Sequence, residues 1–184
     1  MPDPRHPDDE AFVALFADLD RVSDTPADAL VEAALGRPPQ CAWSVAWWAP
    51  DGFPGVLINP PFFDDGTPMP TRWWLVDPVL HKLVGTIESN GGVRAANADL
   101  DADAVADAHV RYAAARDVEI PADHVGPRPS GGVGGTRTGT KCLHAHYAWW
   151  LAGGDDPVGA WTHDRLLELL DRRSADADGP TRNR

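Results

Sequence analysis

Thr71-Arg72-Trp73-Trp74-Leu75-Val76-Asp77-Pro78-Val79-Leu80 is the stretch on which the reading of this chain turns. Trp73 to Val76 are apolar in succession, with no polar side chain in alternation, so they read as a short central strand covered on both faces. Asp77-Pro78 then forms a helix start: the carboxylate caps free amides, and the proline sits where its missing N–H costs nothing. Val79, Leu80, Leu83, Val84 and Ile87 follow at helical spacing, and Asn90-Gly91-Gly92 ends that helix.

Upstream, Cys41, Trp43, Val45 and Trp47 alternate with Ala42, Ser44 and Ala46, the period of a strand. Asp51-Gly52 is a turn signal and Val56-Leu57-Ile58 a second strand, so the simplest arrangement is a three-stranded antiparallel meander. Before it, Phe12, Leu15, Phe16 and Leu19 recur at helical spacing, and Thr25-Pro26 opens a helix that stops near Gly36. Downstream, a helix is expected from about Asp101 to Arg116, a second from Lys141 to Ala152, and a last one around Thr162 to Leu170 after a break at Asp155-Asp156-Pro157. The class is therefore α+β: a small antiparallel three-stranded sheet packed against about five helices. One domain spans 10–173, between a flexible N-terminus (1–9) and a disordered tail (174–184).

Composition narrows the function classes. The 184 residues carry a formal net charge of -12, with acidic groups clustered at Asp8, Asp9 and Glu10 and again from Asp99 to Asp107. With no basic stripe to offset them, this surface repels nucleic acid and anionic membranes. Two cysteines, Cys41 and Cys142, are too few for a disulfide scaffold. No apolar run approaches the ~18 residues of a membrane span, and no leader pattern opens the chain, so a cytoplasmic protein without membrane insertion is expected.

The second informative stretch runs from Ser130 through Gly131-Gly132-Val133-Gly134-Gly135-Thr136-Arg137 to Lys141-Cys142-Leu143-His144-Ala145-His146. Glycines let backbone N–H groups approach an anion, and a following helix N-terminus adds its dipole. Gly132, Gly134, Gly135, Arg137 and Lys141, with Arg72 and Arg116 as further cations, are therefore candidate ligands for a small anionic molecule, a phosphorylated one included. Thr140-Lys141 reverses the final pair of a nucleotide-binding P-loop and no strand precedes it, which excludes that motif. At about 100° per residue, Cys142 and His146 fall roughly 40° apart on a regular helix, while His144 lies roughly 160° from His146. The histidines of His-x-His thus cannot share one metal, whereas Cys142 and His146 form two-thirds of a site for a divalent ion such as zinc. A thiol at a helix start beside an imidazole is also a candidate nucleophile, which makes Cys142 and His144 the candidate catalytic pair of a hydrolase. Inert packing of Cys142 is the competing reading.

Thr67 to Val76, Glu88-Ser89-Asn90-Gly91-Gly92-Val93-Arg94, Gly131 to Gly135 and Lys141-Cys142-Leu143-His144 together resemble the bacterial domain of unknown function 501 family, over about Leu35 to Gly159. The resemblance implies no activity. Genes of the family lie near those for a septum-formation initiator and an exopolyphosphatase, which implies a possible protein partner in division or the envelope. Relatives carry cysteine at the position of Asp77 and near Ala49-Pro50; here Asp77 would be an oxygen substitute in any metal site. The Lys-Cys-Leu-His core shifts weight toward Lys141, Cys142 and His144.

Overall fold

The tryptophan-rich middle of the chain folds as the expected meander. In the computed structural model, which describes residues 4–22, 24–69 and 71–177, β1 (Ser44–Trp48), β2 (Pro54–Ile58) and β3 (Trp73–Leu75) pair antiparallel in the order β1-β2-β3. The fully buried central strand is therefore β2, and β3 lies at the edge. Its continuous apolar run reflects coverage of both faces rather than a central place: Trp73 and Leu75 enter the main core, whereas Trp74 packs in a second cluster with Val31, Leu35, Leu57 and Val76.

A bulge corrects the alternation expected in β1. Val45 pairs with Leu57 and Trp47 with the adjacent Val56, so Ala46 is an extra residue. The insertion turns Trp47 to the face opposite Trp43 and Val45, into the main core. Gly55 makes room for it, since a Cβ there would stand 2.4 Å from the Trp47 ring. Cys41 lies before the strand, which begins at Ser44.

Seven α-helices surround the sheet among the described residues: α1 (Glu10–Ala14), α2 (Ala27–Leu35), α3 (Pro78–Ser89), α4 (Gly92–Asp99), α5 (Ala102–Asp117), α6 (Leu143–Leu151) and α7 (Pro157–Ala177). α2 covers one face of the sheet, and α6, packed on β3 and α7, anchors the other. Asp77 caps α3 as its sequence predicts, its Oδ1 accepting from the amides of Val79 and Leu80 at 2.9 Å. Its Oδ2 takes Arg21 at 2.6 Å, and the same guanidinium binds Asp51, which fastens the α1–α2 connection to the β1–β2 turn.

Two helix readings change. α3 ends where expected, but α4 starts at once, because Gly91 turns the chain at φ +87° and Gly92 lies so close to the Ile87 carbonyl that a Cβ would sit 2.7 Å from it. α7 begins at Pro157 rather than near Thr162: Asp156 accepts from the amides of Val158 and Gly159, so the Asp-Pro pair is a start signal as well as a stop. α7 also runs on to Ala177, into the stretch expected as a tail; residues 178–184 lie outside the described residues. Within the expected flexible N-terminus, Arg5 is tied down through the carbonyls of Trp150 and Gly154, while residues 1–3 are also outside the described residues. Among the described residues no helix is long and apolar enough to cross a membrane.

Candidate functional site

The glycine loop folds upon itself. Gly132 N–H donates to the Thr136 carbonyl, Gly135 N–H to Gly132 and Thr136 N–H to Val133, while Val133 N–H donates to Nδ1 of His109 at 3.0 Å. Nε2–H of His109 then donates to the Gly139 carbonyl at 2.9 Å. Those two roles fix a neutral imidazole, and burial, with neighbouring His146, holds its pKa below the ordinary value despite the Gly139 bond. Gly132 is required by contact: a Cβ would lie 2.4 Å from Cβ of His109. Arg116, almost wholly buried, holds the start of the loop through the carbonyls of Gly131 and Pro129 and pairs with Asp117.

These bonds account for most of the amides expected to cradle an anion. Of the expected ligands, Gly134 alone lines the main cleft, against Cys142. Gly135, Arg137 and Lys141 are exposed. Arg72 is buried elsewhere, bonded to the Asn59 carbonyl and paired with Glu119 at 3.4 Å. Arg72 and Arg116 are thus structural ties, and the seven residues do not converge on one point.

Nor do Cys142, His146 and Asp77 form a metal set. Cys142 is the extended N-cap of α6 (φ -148°, ψ 117°), outside the regular helix on which the 40° separation rests. His146 is fully buried and bonds Asp156 at 2.6 Å through Nδ1, and Asp77 is occupied by its cap and Arg21. The extended cap brings a different set together: the donor atoms of Glu88, Cys142 and His144 lie within 4.8 Å of one another.

Glu88 and His144 are held by contacts between α3 and the start of α6. Pro78, His81, Gly85 and Glu88 recur along one side of α3, and His144 lies across it, close to Gly85. Nε2–H of His144 donates to the His81 carbonyl at 3.0 Å, and Nδ1 stands 3.2 Å from Oε2 of Glu88. Oε1 of Glu88 accepts the first amide of α6, from Leu143, at 2.6 Å. Burial works against a charge on His144, but the bonds to Cys142 and the His81 carbonyl and the charge of Glu88 outweigh it, raising the pKa to about 9. The His81 ring lies 4.3 Å from that of His144, and burial with the neighbouring imidazole lowers its pKa.

The cluster opens onto a cleft of about 690 Å³ between the end of α2, β3, α3 and the start of α6. Leu35, Trp74 and Val76 form an apolar side; His81, Lys82, Cys142 and His144 form the polar one. Sequence reasoning singled out Cys142 and His144 as site residues, but neither Glu88 nor His81. The seven-residue spacing of His81 and Glu88, two turns on one helix, was the available signal.

Residues 45–164, about two thirds of the chain, match a family described as protein of unknown function, DUF501. No curated protein and no solved structure matches the chain.

Proposed function

We propose, on the premise that the chain belongs to the DUF501 family of unknown function, that it is a metal-assisted hydrolase whose divalent ion is held by Glu88, Cys142 and His144. The observation that carries this reading is the convergence of the three donor atoms beside a cleft that Cys142 and His144 line. Donor atoms around a tetrahedral zinc stand roughly 3.3–3.6 Å apart, given bonds of about 2.0–2.3 Å. The 3.2 Å between Nδ1 of His144 and Oε2 of Glu88 fits such an edge.

The outer contacts support the same reading. Metal-bound histidines typically donate their other N–H to a carbonyl or carboxylate, and metal-bound carboxylates are themselves hydrogen-bonded. His144 has such a partner in the His81 carbonyl, and Glu88 in the Leu143 amide. Three protein ligands leave a position for water or substrate, the pattern of catalytic rather than structural zinc. A bound ion would supply Lewis acidity and an activated water.

The test is zinc titration of chelator-treated protein against a chromophoric chelator. One equivalent is expected to bind the wild type, with at least a hundredfold weaker binding in Cys142→Ser and His144→Ala. Absence of stoichiometric binding in wild type would sink the metal reading.

One contact favours a second reading, a thiol-dependent hydrolase. Cys142 neighbours His144, whose Nδ1 stands against Glu88, so a thiol, an imidazole and a carboxylate meet at one point. In that case Cys142 reacts with electrophiles at neutral pH in metal-free protein, and zinc binding is absent.

A further inference from the structure

The cleft joins three features that specify what it takes. Lys82, on α3, lines it, is exposed, and has no ion pair among the described residues. In a chain with 28 acidic residues, no Asp or Glu lines this cleft. Glu88, beside it, has one oxygen on the Leu143 amide and the other on His144. The cleft is thus a local positive site in a molecule of net charge -12.

Much of the rest of the lining is apolar. Leu35 and Ala34, at the end of α2, contribute to it with Trp74 and Val76. Trp74 is only partly buried and lends part of its ring to the lining. The volume lies within the ~300–1,000 Å³ of small-molecule sites.

We infer that the cleft binds an organic monoanion or dianion with an apolar body, a carboxylate or phosphate monoester. The charged group meets Lys82, and the body lies against Trp74 and Leu35. This deepens the proposed function, resting on it only for which bond of the ligand reacts. Inorganic phosphate lacks the body and a neutral alcohol lacks the charge, so neither satisfies both sides.

Isothermal titration of the full chain, chelator-treated to remove metal, tests the inference with octanoate, octyl phosphate, octanol and inorganic phosphate. Saturable binding of octanoate, octyl phosphate or both is expected, at least tenfold tighter than octanol or phosphate. The two anions distinguish a carboxylate from a phosphate head. Lys82→Ala should weaken binding at least tenfold and Lys82→Arg should restore it; both replace an exposed side chain, and an unchanged melting temperature confirms folding. Equal affinity for octanol, no effect of Lys82→Ala, or no saturable binding would each overturn the inference. Because metal is absent from this assay, failure of zinc binding at Glu88, Cys142 and His144 is read separately.

Discussion

Glu88 uses its two oxygens on neighbouring residues of one helix start: Oε1 accepts the Leu143 amide at 2.6 Å, and Oε2 stands 3.2 Å from Nδ1 of His144. With Nε2–H directed at the His81 carbonyl, both ring nitrogens of His144 act as donors, the bonding of an imidazolium. α3 and α6 are thereby joined through a charged pair at the edge of the cleft.

In chelator-treated protein this has a pH signature. The pKa of His144 is raised from 6.5 to about 9, so the folded state holds its proton more tightly than the unfolded chain. Its stabilising contribution is present in full below pH 6.5 and is lost as pH rises through about 9. Glu88→Gln retains an oxygen for the Leu143 amide but removes the charge, and should lower the His144 titration and flatten the alkaline slope. Imidazole proton NMR and thermal melts from pH 6 to 10 provide the two measurements. A slope unchanged in Glu88→Gln would contradict the assignment.

His109 gives the opposite sign. Its pKa is lowered, chiefly by burial, so its contribution is present above pH 6.5 and declines as pH falls through the folded value. His109→Ala should strand the Val133 amide and the Gly139 carbonyl. An unsatisfied buried group costs about 1–3 kcal/mol, which for a chain of this size lowers the melting temperature by roughly 3–10 °C. The variant should also expose the 131–140 loop to limited proteolysis. A melting temperature and cleavage pattern like wild type would contradict this account of the loop.

Asp156 joins two elements, and its two oxygens can be separated by mutation. Oδ1 caps α7 and Oδ2 meets the buried His146 at 2.6 Å. Asp156→Ala removes both and leaves His146 without its partner. The expected loss is about 3–5 kcal/mol, the scale for breaking a buried polar pair. Asp156→Asn keeps an oxygen for the cap and should lose less than half as much. Urea unfolding of both variants measures the difference; equal losses would show that the His146 pairing, rather than the cap, carries the whole effect.

The sequence is most informative where structure is local. Asp77-Pro78 specifies the start of α3 because capping depends on two adjacent residues, and Gly36 ends α2 at φ +67° for the same reason. The bulge at Ala46 is not local: it exists because Trp47 must fill space over Gly55, two strands' residues meeting through tertiary packing. The site divides in the same way. Cys142 and His144 are visible as a motif, but the helical spacing that pairs Cys142 with His146 fails because Cys142 is extended and precedes the first turn. Glu88 joins them from 55 residues away, on a helix whose sequence shows only an ordinary surface glutamate.

The two cysteines offer an internal comparison for the final prediction. Burial, then the charge of Asp64, raises the pKa of Cys41, which slows its reaction with alkylating agents. Cys142 lies at the cleft and bonds an imidazole whose own pKa is about 9. Iodoacetamide at pH 7 should therefore modify Cys142 at least tenfold faster than Cys41 in metal-free protein, as counted by peptide mass spectrometry. His144→Ala should remove most of that advantage. One equivalent of zinc should protect Cys142 while leaving Cys41 unchanged, because coordination draws electron density from the sulfur and lowers its nucleophilicity. Protection separates the metal centre from the unassisted thiol, since a nucleophile that binds no metal would be alkylated at the same rate with and without zinc. If Cys142 reacts no faster than Cys41 under any of these conditions, it is a packed side chain and neither reading of the cluster stands.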